Sequence, residues 1–170
     1  MDEESRKEPP PDREHRDTRS RPEEIMIVPM HAEHLDDLAD LESTAFSRPW
    51  SYDALAEELQ NPLAVFYVAE DVEAESAVGY IGMHHILDEG YITSLVVHPG
   101  RRREGIASAL MKETIEYAER HELKRITLEV RVSNARAIAL YEKFGFEKDG
   151  VRPDFYDSPK EDAAIYSLYF

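Results

Sequence analysis

The 170-residue sequence predicts a mixed α/β fold in which one sheet of about seven strands carries about four helices. Three observations support this class. Short apolar runs alternate with brief polar turns between residues 64 and 98, as in an antiparallel meander. The apolar residues then recur with the period of a helix, and a further apolar run follows. This order predicts a strand–helix–strand crossover, and hence a sheet that contains both parallel and antiparallel strands.

The folded domain is predicted to begin at residue 25. Residues 2–24 are rich in acidic, basic and proline residues and hold no aliphatic or aromatic side chain. Burial therefore cannot offset the entropy that ordering this segment would cost. We expect a disordered tail over residues 1–24 and a single domain over residues 25–170.

The composition narrows the functions that the chain can have. With 36 acidic and 20 basic residues the net charge is −16, which argues against general binding to nucleic acids or anionic membranes. The absence of cysteine excludes disulfides, thiolate metal sites and a cysteine nucleophile. No apolar run reaches the roughly 18 residues needed to span a bilayer, and no signal-peptide core follows Met1. These features predict a soluble, cytoplasmic protein.

The first elements follow from local signals. The apolar run at residues 25–28 predicts a strand, and leucines at helical spacing predict a helix over residues 32–41. Ser51 is a suitable N-cap for a second helix over residues 52–59. The three strands of the meander are expected at residues 64–70, 77–87 and 91–98.

The second half of the chain contains its clearest helix. Apolar residues from Ala107 to Ala118 fall at i, i+3, i+4, i+7, i+8 and i+11, the pattern of a helix packed on a sheet. A strand is expected at residues 125–130, and then a helix over residues 134–144 that Gly145 ends. Two strands, at residues 147–151 and 163–169, complete the order βααβββαβαββ.

The most informative segment, LVVHPGRRREGIA at residues 95–107, joins the last meander strand to this helix. A helix N-terminus offers unpaired backbone N–H groups, and Gly105 and Ala107 leave room for a ligand to approach them. Because three consecutive arginines precede this site in an acidic chain, the loop is predicted to bind a pyrophosphate. The alternative is a solvated charge run that caps the helix. A Walker loop is excluded, since Ile106 and Ala107 stand where Lys and Ser/Thr are required.

The same segment resembles the acetyl-CoA loop of the GNAT N-acetyltransferases, whose pattern Arg/Gln-x-x-Gly-x-Gly/Ala is met by Arg102, Gly105 and Ala107. The run LEVRVSNARAIALYEKFGF at residues 128–146 is similar, almost residue for residue, to a segment of RimI-like and archaeal protein N-terminal acetyltransferases. The resemblance covers about residues 25–170. It implies the GNAT fold, in which the fourth and fifth strands of the mixed sheet splay apart, and an enzyme that uses acetyl-CoA.

The resemblance also implies where acetyl-CoA binds. The pantetheine arm is expected along the fourth strand, where backbone amides at the open sheet edge need partners. The pyrophosphate is expected on the loop and the helix start, while Asn134 would either hydrogen-bond the arm or act as a plain helix N-cap. The cofactor-binding residues implied in this way are Leu95, Val96, Val97, Arg102, Arg103, Glu104, Gly105, Ile106, Ala107, Ser108, Asn134 and Tyr141.

For catalysis, the resemblance implies Glu129 as general base and Tyr141 as general acid, with Tyr91 as a second candidate base. Partial burial at the splay would make Glu129 a usable base, and a phenol with a pKa of about 10 can donate a proton to the departing thiolate. Without the resemblance, Glu129 would be interpreted as an exposed strand carboxylate. Tyr141 would be interpreted as a core aromatic, because it shares the apolar face of its helix.

The acceptor is expected to bind between two segments. The run AFSRPWS at residues 45–51 and the turn around Phe155 and Tyr156 resemble the loops that hold the peptide in this family. Phe155 stands where the family usually has Tyr, so one hydroxyl is lost. Acidic residues near the opening, Glu42 and Asp154, are interpreted as ordinary carboxylates of an acidic surface. The substrate-binding residues indicated by the similarity are Phe46, Pro49, Trp50 and Tyr156.

No metal site is predicted. His31 and His34 lie three residues apart on a helix, and the adjacent His84 and His85 point to opposite faces of a strand. Neither pair completes a ligand set.

The sequence therefore predicts an acetyl-CoA-dependent acetyltransferase of protein N-termini, similar to ribosomal protein alanine N-acetyltransferases, with direct transfer in a ternary complex. The expected partner is a protein N-terminus or a peptide, a ribosomal protein being one candidate. Nucleic acids, membranes and metals are not expected as partners. Two alternatives stay open: a GNAT enzyme of a small amine or a lysine side chain, and a CoA-binding module without turnover.

Overall fold

The computed structural model describes residues 24–170. The predicted tail thus lies outside the described residues, apart from Glu24, whose carbonyl oxygen accepts a hydrogen bond from the Val72 N–H at 2.9 Å. No helix in residues 24–170 combines the length and the apolar character needed to cross a membrane.

The order of strands and helices confirms the predicted fold class. The strands are β1 (Ile25–Pro29), β2 (Ala64–Asp71), β3 (Ser76–Ile86), β4 (Glu89–Val97), β5 (Arg125–Arg131), β6 (Glu147–Asp157) and β7 (Lys160–Tyr169). The helices are α1 (Leu35–Ala45), α2 (Tyr52–Gln60), α3 (Ile106–Arg120) and α4 (Ala135–Lys143). The predicted caps are present as well, because Ser51 accepts a hydrogen bond from the Ala54 N–H and Gly145, with φ +91°, follows α4.

The seven strands form one sheet in the order β1-β2-β3-β4-β5-β7-β6. All neighbours are antiparallel except β4 and β5, so the predicted meander and the predicted parallel crossover are both confirmed. β4 and β5 are paired only over residues 89–91 and 125–127. The rest of β4, residues 92–97, faces a gap, which is the splay that the resemblance implied.

Both faces of the sheet are covered. Helices α1 and α2 bury Leu38 and Leu55 completely on one face, and α3 buries Leu110 and Met111 on the other. Each such side chain contributes about 1.5–3 kcal/mol through removal from water. Because β3 lies between the two layers, residues 77–83 are all buried and show no alternation of apolar and polar side chains.

Several boundaries differ from the predictions. A 3-10 turn occupies Ala32–His34, so that α1 begins later than expected. Strand β6 continues to Asp157, and β7 begins at Lys160. Phe155 and Tyr156 therefore lie on a strand and not in a turn. Since nearly all of β6 is exposed, it has no buried face whose period the sequence could reveal.

Candidate active site

A cavity of about 610 Å³ lies beside the open part of β4. Its walls are the end of β4, the loop that leads to α3, and the first turns of α3 and α4. Glu104, one of the predicted cofactor-binding residues, is not part of the lining. The predicted residues that do line this cavity are Leu95, Val96, Val97, Arg102, Arg103, Gly105, Ile106, Ala107, Ser108, Asn134 and Tyr141.

The start of α3 forms one end of this cavity. Gly105 precedes the helix with φ +78°, a left-handed conformation that favours glycine, and a Cβ added there would meet nothing within 4 Å. Within the helix, the N–H groups of residues 106–108 have no acceptor, because the first turn precedes the i−4 carbonyls. These N–H groups and the helix dipole favour an anion at this end of the cavity.

The three consecutive arginines have different surroundings. Arg101 is largely buried, with Nη1 2.6 Å from Asp71 Oδ2 and Nε 2.6 Å from Glu104 Oε2. It therefore ties the loop to the end of β2. Arg102 and Arg103 are exposed and line the cavity, so their guanidinium groups are available to an anion. Because the three residues are identical, the sequence could not show which arginine is buried and which are exposed.

Replacing Arg101 by Gln should lower the stability of the protein. The change would remove two ion pairs of a largely buried guanidinium, one with Asp71, whose side chain is 6% exposed, and one with Glu104. We expect a loss of about 2 kcal/mol, which corresponds to a melting temperature lower by roughly 4–8 °C for a chain of this size. Differential scanning fluorimetry measures the shift, with Arg102→Gln as the exposed control. Equal melting temperatures for the two variants would contradict the role assigned to Arg101.

A second cavity, of about 580 Å³, adjoins the first. Phe46, Trp50 and Tyr156 line it, as predicted for acceptor-binding residues, whereas Pro49 does not. Tyr141 borders both cavities. A group bound in one cavity and a group bound in the other can therefore meet beside the Tyr141 side chain.

One wall of this second cavity, hereafter the acceptor cavity, consists of two segments that are far apart in sequence. Ser47 Oγ donates a hydrogen bond to the Ser158 carbonyl oxygen at 2.8 Å, and Arg48 Nη1 lies 3.0 Å from Asp157 Oδ2. The Arg131 guanidinium lies over the Tyr156 ring, 4.3 Å from its centroid. The first two contacts join the segment between α1 and α2 to the β6–β7 turn, and the third packs Tyr156 against β5.

Glu129 lies on β5 in the acceptor cavity, and its side chain is 6% exposed. The Tyr91 hydroxyl donates a hydrogen bond to its carboxylate, and Arg152 Nε lies 3.4 Å from Oε1. The pKa of Tyr91 is raised, mainly by burial of the phenol. The hydrogen bond to Glu129 and the negative charge of Glu129 raise it further. Tyr91 is therefore protonated in this arrangement and donates a hydrogen bond to Glu129, while its role as a second candidate base stays a prediction.

Tyr141 and Asn134 each fit both of the interpretations that the sequence allowed. Tyr141 is 7% exposed and packs near Phe146, yet it lines both cavities. Asn134 Oδ1 accepts a hydrogen bond from the Ala137 N–H at 3.2 Å, so it caps α4 while also lining both cavities. Burial, and to a smaller extent Tyr156, raise the pKa of Tyr141.

The raised pKa of Tyr141 predicts the shape of the alkaline pH profile. Since the pKa lies above the ordinary value of 10, the phenol keeps its proton throughout the usual assay range. We expect kcat at about pH 9.5 to stay within about twofold of kcat at about pH 8. Steady-state kinetics at saturating substrate test this expectation. An alkaline decline below pH 9 that disappears in the Tyr141→Phe protein would contradict it.

His34 has neighbours that the sequence did not indicate. Its side chain lies close to the carboxylates of Glu33 and Glu70, so that one potential ligand atom from each falls within 4.8 Å of the others. The His34 Nδ1 accepts a hydrogen bond from the His31 N–H at 2.9 Å, and Nε2 lies 2.5 Å from Glu70 Oε1. Because protein groups engage both ring nitrogens, we interpret His34 as a buried structural histidine.

Two further residues of the acceptor cavity were missed or misread at the sequence level. A bulge between β3 and β4 leaves Thr93 opposite no β3 residue, and its Oγ1 is buried without a hydrogen-bond partner in the described part of the chain.

Glu42 was interpreted as an ordinary carboxylate of an acidic surface, and this was wrong. It is 1% exposed and lies within the protein against this cavity.

The splayed sheet, a helix start that favours an anion and two cavities that meet at Tyr141 form the arrangement expected of an acyl-CoA-dependent transferase. The sequence profile of the acetyltransferase (GNAT) family matches residues 35–146. The chain belongs to this family, and it is an N-acetyltransferase with acetyl-CoA as co-substrate. The predictions of fold, enzyme class and co-substrate are thereby confirmed.

Similar proteins include enzymes named for a ribosomal substrate. A putative ribosomal protein bS18-alanine N-acetyltransferase from Bacillus subtilis is 34% identical over 137 residues, 80% of this chain and 89% of the relative. The ribosomal protein bS18-alanine N-acetyltransferase of Escherichia coli K12 is 32% identical over 131 residues, with 75% and 86% covered. A crystal structure of the E. coli ribosomal-protein-S18-alanine N-acetyltransferase superposes with TM-score 0.78 at 28% identity, covering 85% of this chain and 93% of that one.

Proposed function

We propose that this enzyme acetylates the α-amino group of protein N-termini that begin with a small residue such as alanine, and that a ribosomal protein is among its substrates. The observation that carries the proposal is the meeting of the two cavities at Tyr141, with Glu129 in the acceptor cavity. The similarity to the two bacterial ribosomal protein alanine acetyltransferases supports the substrate class. New protein N-termini arise at ribosomes, so the proposal includes a cytoplasmic location.

The residues of the first cavity fit acetyl-CoA. Its pyrophosphate matches the N–H groups at the start of α3, with Arg102 and Arg103 beside them, and its amide-containing arm matches the unpaired edge of β4. When bound, acetyl-CoA supplies a thioester carbonyl that an amine can attack. The residues of this chain hold the two substrates in contact, since β4 and Asn134 position one and the acceptor cavity positions the other.

Glu129 and Tyr141 have complementary roles in this proposal. The Glu129 carboxylate accepts the proton of the attacking amine, directly or through water, while Tyr91 and Arg152 hold it in place. Tyr141, kept protonated by burial, donates a proton to the departing sulfur. An α-amine has a pKa near 8, against about 10.4 for a lysine side chain, so an N-terminal substrate places a smaller demand on the base.

The contact between the α1–α2 segment and the β6–β7 turn supports a chain terminus as the acceptor. The Ser47–Ser158 hydrogen bond and the Arg48–Asp157 ion pair join the two segments that form one wall of the acceptor cavity. A peptide can insert its end into such a cavity more readily than it can present the middle of its chain. The exposed aromatic rings of Phe46 and Phe155 lie in the same lining and offer apolar contacts to the first side chain.

Mass spectrometry of acetyl-CoA-dependent acetylation tests the proposal directly. Peptides with free Ala, Ser, Thr or Met at the N-terminus are compared with N-blocked peptides that carry an internal Lys, at low and at high salt. We expect acetylation of free N-termini only, with Ala and Ser preferred. Modification of the Lys peptides alone would overturn the proposal in favour of a lysine side-chain acceptor. Modification of neither set while acetyl-CoA still binds would overturn it and leave the small-amine and non-catalytic alternatives.

A further inference from the structure

Glu42 is a buried carboxylate to which the proposed reaction assigns no step. It lies in the last turns of α1, is 1% exposed, and borders the acceptor cavity. Isolated carboxylates are costly to bury, so such a group is retained only where hydrogen bonds compensate it. The partners of Glu42 therefore indicate what it does.

Both carboxylate oxygens of Glu42 are engaged by protein groups. The Tyr80 hydroxyl, which is completely buried on β3, donates a hydrogen bond to Oε1. The backbone N–H of Trp50 donates to Oε2 at 3.2 Å. Glu42 thus connects the rigid sheet to a residue of the segment that precedes α2.

That segment supplies four residues to the lining of the acceptor cavity. Phe46, Ser47, Arg48 and Trp50 all belong to it. It has no strand or helix of its own, since α1 ends at Ala45 and α2 begins at Tyr52. The Glu42 carboxylate bonds the segment at Trp50, near its end, whereas the Ser47–Ser158 hydrogen bond holds it near its beginning.

We infer that Glu42 is a positioning residue that holds the segment 46–50 in the conformation that binds the acceptor peptide. It acts through the Trp50 N–H, and Tyr80 fixes the carboxylate that receives this bond. This inference rests on the proposed function, because that proposal identifies the acceptor as a peptide N-terminus. It predicts that loss of the carboxylate weakens peptide binding and leaves acetyl-CoA binding and the chemical step unchanged.

Steady-state kinetics of the Glu42→Gln protein separate these effects. The glutamine side chain is uncharged and has a single acceptor oxygen, so Tyr80 and Trp50 can no longer each donate to a charged oxygen of this side chain. The KM for an Ala-terminated peptide should rise about tenfold, the effect of one charge-assisted hydrogen bond, while kcat and the KM for acetyl-CoA change less than about twofold. Glu58→Gln is the matched control, because Glu58 is also mostly buried but bonds His84 away from both cavities.

The chain offers a second readout that needs no substrate. Trp50 is its single tryptophan, so tryptophan fluorescence reports on this segment alone. Acrylamide quenching of the Glu42→Gln protein should increase at least about twofold over the wild type, and that of Glu58→Gln should not. A drop in kcat with unchanged peptide KM, or unchanged Trp50 quenching, would overturn the inference.

Failure of the proposed function can be distinguished from failure of this inference, and the inference can be tested even if the variant does not fold. If the wild-type protein acetylates no peptide, the proposed function fails, and the quenching comparison still decides whether Glu42 holds the segment. If the Glu42→Gln protein does not fold, amide hydrogen exchange of the wild type replaces it. The Trp50 N–H should then exchange at least about tenfold more slowly than a free amide, and unprotected exchange would refute the bond.

Discussion

The Glu129→Gln protein should bind acetyl-CoA normally and lose nearly all transfer activity. The glutamine side chain has the shape of glutamate but cannot take a proton from the attacking amine at neutral pH. A correctly placed general base contributes about 10²–10⁴ to the rate, so kcat for an Ala-terminated peptide should fall by at least about 100-fold. Stopped or continuous CoA-release assays measure kcat, and calorimetric titration measures the affinity for acetyl-CoA.

The control for this variant is Glu89→Gln. Glu89 is an exposed carboxylate on β4, two residues before Tyr91, and its partner is Arg125. It should keep wild-type kcat within about twofold. If Glu129→Gln retains kcat within about threefold of wild type, proton transfer does not pass through Glu129, and the hydrogen bond from Tyr91 has only a structural purpose.

The Ala107→Glu protein should be folded and unable to bind acetyl-CoA. Ala107 is the second residue of α3, where a carboxylate interacts favourably with the helix dipole and adds about 0.3–1 kcal/mol to helix stability. The same carboxylate occupies the end of the cavity where a pyrophosphate is expected. Repulsion between this carboxylate and a phosphate a few ångströms away amounts to several kcal/mol. We expect the KM for acetyl-CoA to rise at least about 100-fold, with a melting temperature equal to or above that of the wild type.

Ala107→Gln separates charge from size. Its side chain fills almost the same volume without a negative charge, so its effect on the KM for acetyl-CoA should be at least about tenfold smaller. Equal losses in the two variants would mean that the cavity end is closed by bulk alone. An Ala107→Glu protein with unchanged affinity would show that the start of α3 does not hold the pyrophosphate.

Elements with a strong internal period could be predicted from the sequence, while elements that depend on distant partners could not. Helix α3 carries its pattern within a few residues because one face packs on the core, and the β2–β4 meander is marked by short apolar runs between brief polar turns. Strand β6 was predicted too short, since its exposed residues pair with β7 without burying a face. Its Arg152, beside Glu129, was missed for the same reason.

The surroundings of the site residues were less predictable than their identity. The motif around residues 102–107 indicated a phosphate loop, but nothing local showed that Arg101 pairs with Asp71, thirty residues earlier in the chain. Glu42 could have been found, because it lies four residues after Leu38 and seven after Leu35 and so shares the buried face of α1. The acidic composition of the chain instead favoured the interpretation of Glu42 as a surface carboxylate.

The short pairing between β4 and β5 has a consequence for every stability measurement on this enzyme. A ligand that fills the gap binds the native chain and not the unfolded one, so it adds RT ln(1 + [L]/Kd), or about 2.7 kcal/mol at one hundred times Kd. The free energy of unfolding is then a property of the chain and the ligand concentration together. A variant that merely binds acetyl-CoA or CoA less tightly will appear unstable whenever ligand remains from purification, and only ligand-free samples report the polypeptide itself.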